Sequence, residues 1–265
     1  NVGFEEDFIS YAKYKDYMQK YRINNFVETE QLIEKQRVIK EDYEIDNIRK
    51  ACEITDRCFE YLQGFIKVGM TEKEIAYEIE RFFIMNGASG LAFDTIVASG
   101  INSSKPHAVP TDKKIQAGDI ITIDMGCKYN GYCTDMTRMV FVGFIQEYMK
   151  KIYNLVLKNQ EETLPRIYEG ANTRILFQMV DNSFENFGYE LTHALGHGVG
   201  MDVHENPVIG PKREVLLERN MVITDEPGIY IPGKFGVRIE DTVLVTKDGY
   251  EILTKSEKDY IIIKW

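Results

Sequence analysis

The hydrophobic pattern of this chain occurs twice. From Tyr43 onward, Ile45, Ile48, Cys52, Thr55, Phe59 and Leu62 recur at helical spacing, and Gly64 and Gly69 punctuate the run. Thr71 then stands as an N-cap, with Glu74 three residues later as its capping-box partner. Ile75, Ile79, Phe82 and Phe83 carry a second helix to Asn86-Gly87, a C-terminal stop. A later stretch has the same layout: IYNLVLKNQEETLPRIYEG, then Ala171-Asn172, then TRILFQMVDNSFENFG. An offset of 101 places Gly69 on Gly170, Thr71 on Asn172, Ile75 on Leu176, Ile79 on Val180 and Gly87 on Gly188. β-Branched, strand-like segments follow each helix pair. Two amphipathic helices of equal length could agree by chance, but glycines and caps agreeing together favour an internal repeat. The pattern therefore predicts an α+β domain of two related halves. Residues 1–40, rich in Tyr, Lys and Glu, read as a short strand followed by polar helix.

The strand segments carry acids in matching places. GDIITIDMG alternates apolar and polar residues, Asn130-Gly131 is a turn signal, and CTDMTRMVFVG is a second strand. A hairpin closed at Asn130-Gly131 sets Asp124 opposite Thr137. Asp135, two residues from Thr137, then shares the face of Asp124. In ITDEPGIYIPGKFGVRIEDTVLV two strands flank Ile231-Pro232-Gly233, and Glu226 and Glu240 are symmetric about Gly233. Four carboxylates facing inward repel one another and resist desolvation. Divalent cations solve that problem, since carboxylates can bridge two metals about 3.5 Å apart. Any one of these acids alone reads as a solvated strand residue; the set of four reads as a metal site.

Composition narrows the function class. Hydrophobic residues make up 44% and charged residues 28%, an ordinary globular balance. Thirty-two basic against 42 acidic residues give a net charge of −10, which argues against nucleic acid or an anionic membrane as partner. No apolar run approaches the roughly 20 residues of a membrane helix, and the start NVGFEEDF lacks the hydrophobic stretch of a signal peptide. Cys52, Cys58, Cys127 and Cys133 form no C-x-x-C pair and read as reduced cytoplasmic thiols.

His193, His197 and His204 cluster in THALGHGVGMDVHENP, where Gly196, Gly198 and Gly200 disfavour a helix. The arrangement is therefore not the helical H-E-x-x-H zinc motif. Glycines beside histidines let backbone and substrate approach closely. One of the three should bind metal; the others can donate hydrogen bonds to substrate or an oxyanion. His107 lies in the loop SSKPHAVP.

Residues 43–265 resemble the pita-bread peptidases, the family of methionine aminopeptidase, aminopeptidase P and prolidase. The motifs that carry the resemblance are FDTIVASGINSSKPHAVP, GDIITIDMGCKYNGYCTDMTRMVFVG, GHGVGMDVHENP, DEPGIY and GVRIEDTVLV, in family order. The resemblance implies a pita-bread fold, two pseudo-symmetric α+β halves around a curved, mainly antiparallel sheet. It implies Asp124, Asp135, His197, Glu226 and Glu240 as ligands of two divalent metal ions. His107 and His204 would contact substrate and intermediate. Arg238 and Asp241 in VRIED, and His193 four residues before His197, resemble the Xaa-Pro branch, with His193 and Arg238 as substrate-binding groups. Residues 1–42 are similar to the closing strand and linker helix of an N-terminal domain otherwise absent from this sequence. A homodimer of the full-length protein is left open.

The expected activity is hydrolysis of Xaa-Pro bonds at peptide N-termini or in dipeptides, in the cytoplasm, with a peptide as the partner. Water activated by the metals would attack the scissile carbonyl, His204 would polarise its oxygen, and Glu226 would shuttle the proton to the leaving nitrogen. Oxygen-rich ligands with one histidine suit Mn²⁺ first, with Co²⁺, Zn²⁺ or Fe²⁺ as alternatives. The rivals are a methionine aminopeptidase, a non-catalytic peptide-binding module and a metal-free amidine hydrolase on the same fold. Arg238 is expected on the face of Glu240. There it would hold a substrate carboxylate or neutralise a buried acid, Asp241 being one choice.

Overall fold

The computed structural model describes residues 1–21, 23 and 25–264, which form two compact units, Asn1–Arg37 and a larger one from Val38 onward. In the small unit β1 (Val2–Glu5) is followed by α1 (Tyr11–Lys20), β2 (Phe26–Thr29) and α2 (Leu32–Arg37). Ser10 caps α1 by accepting from the Lys13 N–H at 3.3 Å. The expected strand and helix are present, but β2 pairs in parallel with β1, Val2 opposite Phe26. The sequence reading missed β2 because its four residues, FVET, show no alternation of buried and exposed positions. Phe4, Phe8, Tyr17 and Phe26 help line an apolar cavity of about 610 Å³ in this unit.

The large unit repeats one plan. Its first half runs α3 (Asp42–Phe65), α4 (Glu72–Met85), β3 (Gly90–Leu91), β4 (Ile96–Ser99), β5 (Ile120–Met125), β6 (Cys127–Tyr129), β7 (Tyr132–Cys133) and β8 (Met136–Val142). Its second runs α5 (Glu147–Thr163), α6 (Thr173–Glu185), β9 (Gly196–Gly198), β10 (Glu205–Ile209), β11 (Val222–Asp225), β12 (Gly228–Ile231), β13 (Phe235–Arg238), β14 (Asp241–Val245) and β15 (Tyr250–Ile252). The strand β16 (Ile261–Ile263) returns to pair in parallel with β8. Antiparallel β4–β5–β8 in one half answers antiparallel β9–β11–β14 in the other.

The repeat extends to single hydrogen bonds. Gly69 and Gly170 both adopt left-handed backbone, φ +93° and +95°, which glycine alone adopts without steric cost. The Gly69 N–H donates to the Ile115 carbonyl at 2.9 Å, and the Gly170 N–H to the Leu217 carbonyl at 2.7 Å. Thr71 then bridges Lys114, as Asn172 bridges Leu216. Both caps are in place. Thr71 Oγ1 accepts from the Glu74 N–H at 3.1 Å while Glu74 accepts from the Thr71 N–H at 2.6 Å, and Asn172 accepts from Arg174 and Ile175.

Burial follows the predicted faces. Ile54, Phe59, Leu62, Ile75, Ile79 and Phe83 pack on Ile121, Ile123 and Val140 of the first sheet. Val156, Leu176, Val180 and Phe184 pack on Ile223, Val243 and Val245 of the second. Each such side chain contributes roughly 1.5–3 kcal/mol. The first turns of α3 reach across, with Ile45, Ile48 and Cys52 packed among Val222 and Leu244.

The hairpins hold the register that the turns predict, with Asp124 opposite Thr137 and Gly228 opposite Arg238. They are not continuous ladders, however. The first breaks between β5 and β6 and between β7 and β8, and the second between β11 and β12 and between β13 and β14. Pro227 has no N–H to give. At the breaks the backbone turns to other partners, Glu226 N–H to Leu195 and Glu240 N–H to Thr137. Among the described residues no helix is long and apolar enough to cross a membrane.

The paired caps make a test of the repeat. Thr71→Ala and Asn172→Ala should each cost about 1 kcal/mol, lowering Tm by roughly 2–4 °C in a chain of this size. The double variant should show the sum. Thermal unfolding followed by circular dichroism reads it, and two caps of clearly unequal worth would sink the equivalence.

Candidate metal centre

The acids occupy the breaks in the two ribbons. Asp124 lies near the end of β5, Asp135 just before β8, Glu226 just after β11 and Glu240 just before β14, while His197 is the middle residue of β9. A bent ribbon turns its flanking side chains toward one point. Donor atoms fall into three overlapping groups, within each of which they lie within 4.8 Å: Asp124 with Asp135 and Glu240; His197 with Glu226 and Glu240; and Asp135 with His197 and His204. All five expected ligands therefore converge. His197 Nε2 lies 3.3 Å from Glu226 Oε1 and 3.6 Å from Asp135 Oδ2.

The arrangement is short of positive charge. Asp124 Oδ1 and Glu240 Oε1 are buried with no hydrogen-bond partner among the described residues. Burial first, then repulsion from neighbouring carboxylates, holds Asp135 and Glu240 well above the usual carboxylate range. Burial also raises Asp124, against the attraction of Arg238. Burial opposes ionisation of Glu226 too, but the hydrogen bond and charge of His197, with His193 and Arg238, outweigh it and bring Glu226 to about 2. His197 is drawn upward, the Glu226 contact outweighing its burial. Orphaned hard oxygens, crowded carboxylates and one imidazole are a donor set that fits divalent cations.

Arg238 faces this cluster, as alternation from Glu240 predicts. All three of its guanidinium nitrogens are engaged. Nη2 donates to Asp124 Oδ2 at 2.5 Å, Nε to Thr137 Oγ1 at 3.0 Å, and Nη1 to the Tyr230 hydroxyl at 2.6 Å and the Pro106 carbonyl at 3.2 Å. In this geometry it neutralises Asp124. Asp241 is not its partner; Arg138, Lys258 and Gln160 hold that carboxylate instead. Arg138 also donates to the carbonyls of Thr137 and Glu240, joining the two halves behind the site.

The remaining histidines surround the cluster. His193 Nε2 lies 3.1 Å from the Tyr230 hydroxyl, and its Nδ1 lies 2.8 Å from the Ala194 carbonyl. Burial lowers its pKa. His204 is exposed, its ring centroid 4.3 Å from that of His197. Partial burial, then the charges of His197 and His107, lower its pKa. His107 lies on an exposed loop after the 3-10 turn Gly100–Ser104, close enough for its charge to act on His193 and His204.

Sequence reasoning missed Tyr230, which joins Arg238 to His193 from a half-buried position. Burial raises its pKa to about 12, so it stays a hydroxyl. The signal was available: Gly228 opposite Arg238 makes Tyr230 its diagonal neighbour on one face. It also missed Thr224, whose hydroxyl accepts from the His197 N–H at 3.0 Å and donates to Glu226 Oε1 at 3.1 Å.

Known proteins share this architecture. A Xaa-Pro dipeptidase of Pyrococcus horikoshii is 42% identical over 263 residues, 98% of this chain and 75% of that protein. The solved structure of a Xaa-Pro dipeptidase from Bacillus anthracis superposes with a TM-score of 0.95 at 41% identity, covering 99% of this chain and 74% of that one. The crystal structure of an X-Pro aminopeptidase from Thermotoga maritima does so with a TM-score of 0.93 at 37% identity, over 100% of this chain and 75% of that one. The sequence pattern of metallopeptidase family M24 matches residues 46–247. The chain belongs to metallopeptidase family M24.

Proposed function

We propose that this metallopeptidase hydrolyses Xaa-Pro peptide bonds with two divalent cations, Mn²⁺ first among them, held by Asp124, Asp135, His197, Glu226 and Glu240. The observation that carries the reading is the convergence of these five donors around two buried carboxylate oxygens that have no hydrogen-bond partner among the described residues. Similarity to Xaa-Pro dipeptidases over nearly the whole chain supports the substrate class. When bound, the cations would supply Lewis acidity at the scissile carbonyl and lower the pKa of a nearby water.

The chain's own groups do the rest. Glu226 is ionised at neutral pH and is placed to take a proton at its carboxylate and pass it to the leaving nitrogen. His204, beside His197, donates to the carbonyl oxygen. His193 and Tyr230 form one wall of the substrate site, with Arg238 behind them fixing Asp124. A Xaa-Pro bond is a tertiary amide with no N–H, so the site selects the proline ring by shape rather than by an acceptor for an amide proton. His107 approaches the substrate from its loop.

The assignment extends to context. We read residues 1–42 as the closing strand and linker of an N-terminal domain, a reading supported by the separate compaction of Asn1–Arg37. A cytoplasmic setting is in keeping with four buried cysteines outside any disulfide. A homodimer of the full-length protein is the assembly to look for by light scattering.

Two measurements check the central reading. Xaa-Pro dipeptides and longer peptides with proline second should be cleaved in preference to Met-Ala peptides at equal Mn²⁺, with activity lost to a chelator and restored by the ion. A clear preference for Met-Ala would point to a methionine aminopeptidase instead, and full activity in metal-stripped protein would end the metallopeptidase mechanism. Separately, His197→Ala should lower kcat/KM by more than the roughly 100-fold that outer partners of a metal ligand are worth, while the far-ultraviolet spectrum stays that of wild type. An unfolded variant would mean that His197 is structural.

A further inference from the structure

Glu72 is a carboxylate that the mechanism does not use. It is the first residue of α4 and is fully buried. Its Oε1 accepts from the Ser99 N–H at 2.7 Å, the Ser99 hydroxyl at 2.7 Å and the Asn102 amide at 3.1 Å. Its Oε2 accepts from the Thr111 N–H at 2.9 Å, the Thr111 hydroxyl at 2.6 Å and the Asn102 amide at 3.1 Å. One side chain thus grips both ends of the segment from Ser99 to Thr111, the loop that carries His107. Burial disfavours its charge, yet the Thr111, Ser99 and Asn102 bonds outweigh this and lower its pKa.

The far side of the same loop leans on the metal centre. The Ser103 hydroxyl accepts from the Gly236 N–H at 3.0 Å, and a Cβ at Gly236 would lie 2.3 Å from the Ser103 carbonyl, so only glycine permits the approach. The Pro106 carbonyl accepts from Arg238, which holds Asp124. The loop is therefore pinned at its base by Glu72 and along its length by β13, with His107 between the pins at Pro106 and Thr111.

The repeat supplies an internal control. The counterpart of Glu72 is Thr173, likewise the first residue of its helix and fully buried. Its hydroxyl accepts a single hydrogen bond, from the Val215 N–H at 3.0 Å. The backbone bond from this position to the facing strand is the same in both halves, Glu72 N–H to Lys113 and Thr173 N–H to Val215. Starting the helix on its sheet therefore does not require a carboxylate. The carboxylate is an addition in the first half; for the matching segment between β9 and β11, which carries His204, Thr173 stands in its place without one.

We propose that Glu72 is a positioning residue for peptide hydrolysis: its buried carboxylate clamps the Ser99–Thr111 loop and so sets the place of His107 at the substrate. This rests on reading His107 as a substrate-contacting group. Glu72 bonds to Ser99, Asn102 and Thr111 and to none of the five metal-site residues, so loss of the clamp removes no donor but lets the histidine wander, and a misplacement of about 1 Å is worth up to about 100-fold in rate.

Glu72→Gln tests it, because the amide keeps the shape but faces two N–H groups and two hydroxyls with a weaker acceptor and a new donor. Hydrogen exchange should quicken across residues 99–111 and stay unchanged in β5, β8, β11 and β14. On an Xaa-Pro dipeptide kcat/KM should fall by about 10–100-fold, with Mn²⁺ binding by calorimetry unchanged. In a His107→Ala background the same substitution should cost almost nothing further. An equal loss with and without His107, or unaltered exchange in the loop, overturns the proposal. Should Glu72→Gln fail to fold, Asn102→Ala and Thr111→Val each remove one strut and go through the same cycle with smaller effects. If wild type cleaves no Xaa-Pro peptide, the substrate reading fails, and the exchange measurement still decides the clamp.

Discussion

Four carboxylates and one imidazole share a space too small and too dry for all of them to be hydrated. That electrostatic constraint governs the rest of the large unit. Without added positive charge, Asp135 and Glu240 resist ionisation, Asp124 leans on Arg238, and Glu226 favours the charged form of His197. The neighbouring cations Arg238, Arg138 and Lys258 are already committed, the first to Asp124 and the other two to Asp241. The remaining deficit is what bound divalent ions would fill, at Asp124 Oδ1 and Glu240 Oε1, which have no partner among the described residues.

The scaffold meets this constraint by breaking its own regularity. Continuous ladders would bury the acids' backbone groups in strand pairing and send alternate side chains to opposite faces. Each ribbon instead bends beside its acids, and backbone groups freed at the bend find partners elsewhere, Glu240 with Thr137 and Glu226 with Leu195. Helices on the outer side of each sheet keep the bent strands in place through apolar burial. Local propensity gives way at the functional site, and packing elsewhere sustains the cost.

Much of this was legible in the sequence because the relevant signals are short-range. Caps at Thr71 and Asn172, the stop at Gly87, the turn at Asn130-Gly131 and the register that opposes Asp124 to Thr137 each depend on a few adjacent residues. The four acids could be read from two hairpin centres. What escaped were contacts between segments far apart in the chain. Arg238 was expected on the correct face, but its choice of Asp124 over the nearby Asp241 depends on Arg138, which comes from the other half. The hairpin register alone sets Tyr230 beside Arg238, but its second contact, to His193, comes from a segment 37 residues earlier. The strand β2 was missed for another reason: its parallel partner lies across an intervening helix, and nothing in four residues announces that pairing.

The donors are divided between the halves, with Asp124 and Asp135 from the first and His197, Glu226 and Glu240 from the second. An ion bound there is therefore a fastener as well as a reagent. Two of the three donor groups, Asp124 with Asp135 and Glu240, and Asp135 with His197 and His204, draw on both halves, so the binding free energy of an ion held by them would be added to the cohesion of the seam. For a hundredfold excess of ion over its Kd this amounts to about 2.7 kcal/mol. Cofactor supply and mechanical integrity would then be one variable, and loss of the ions would also loosen the joint between the halves.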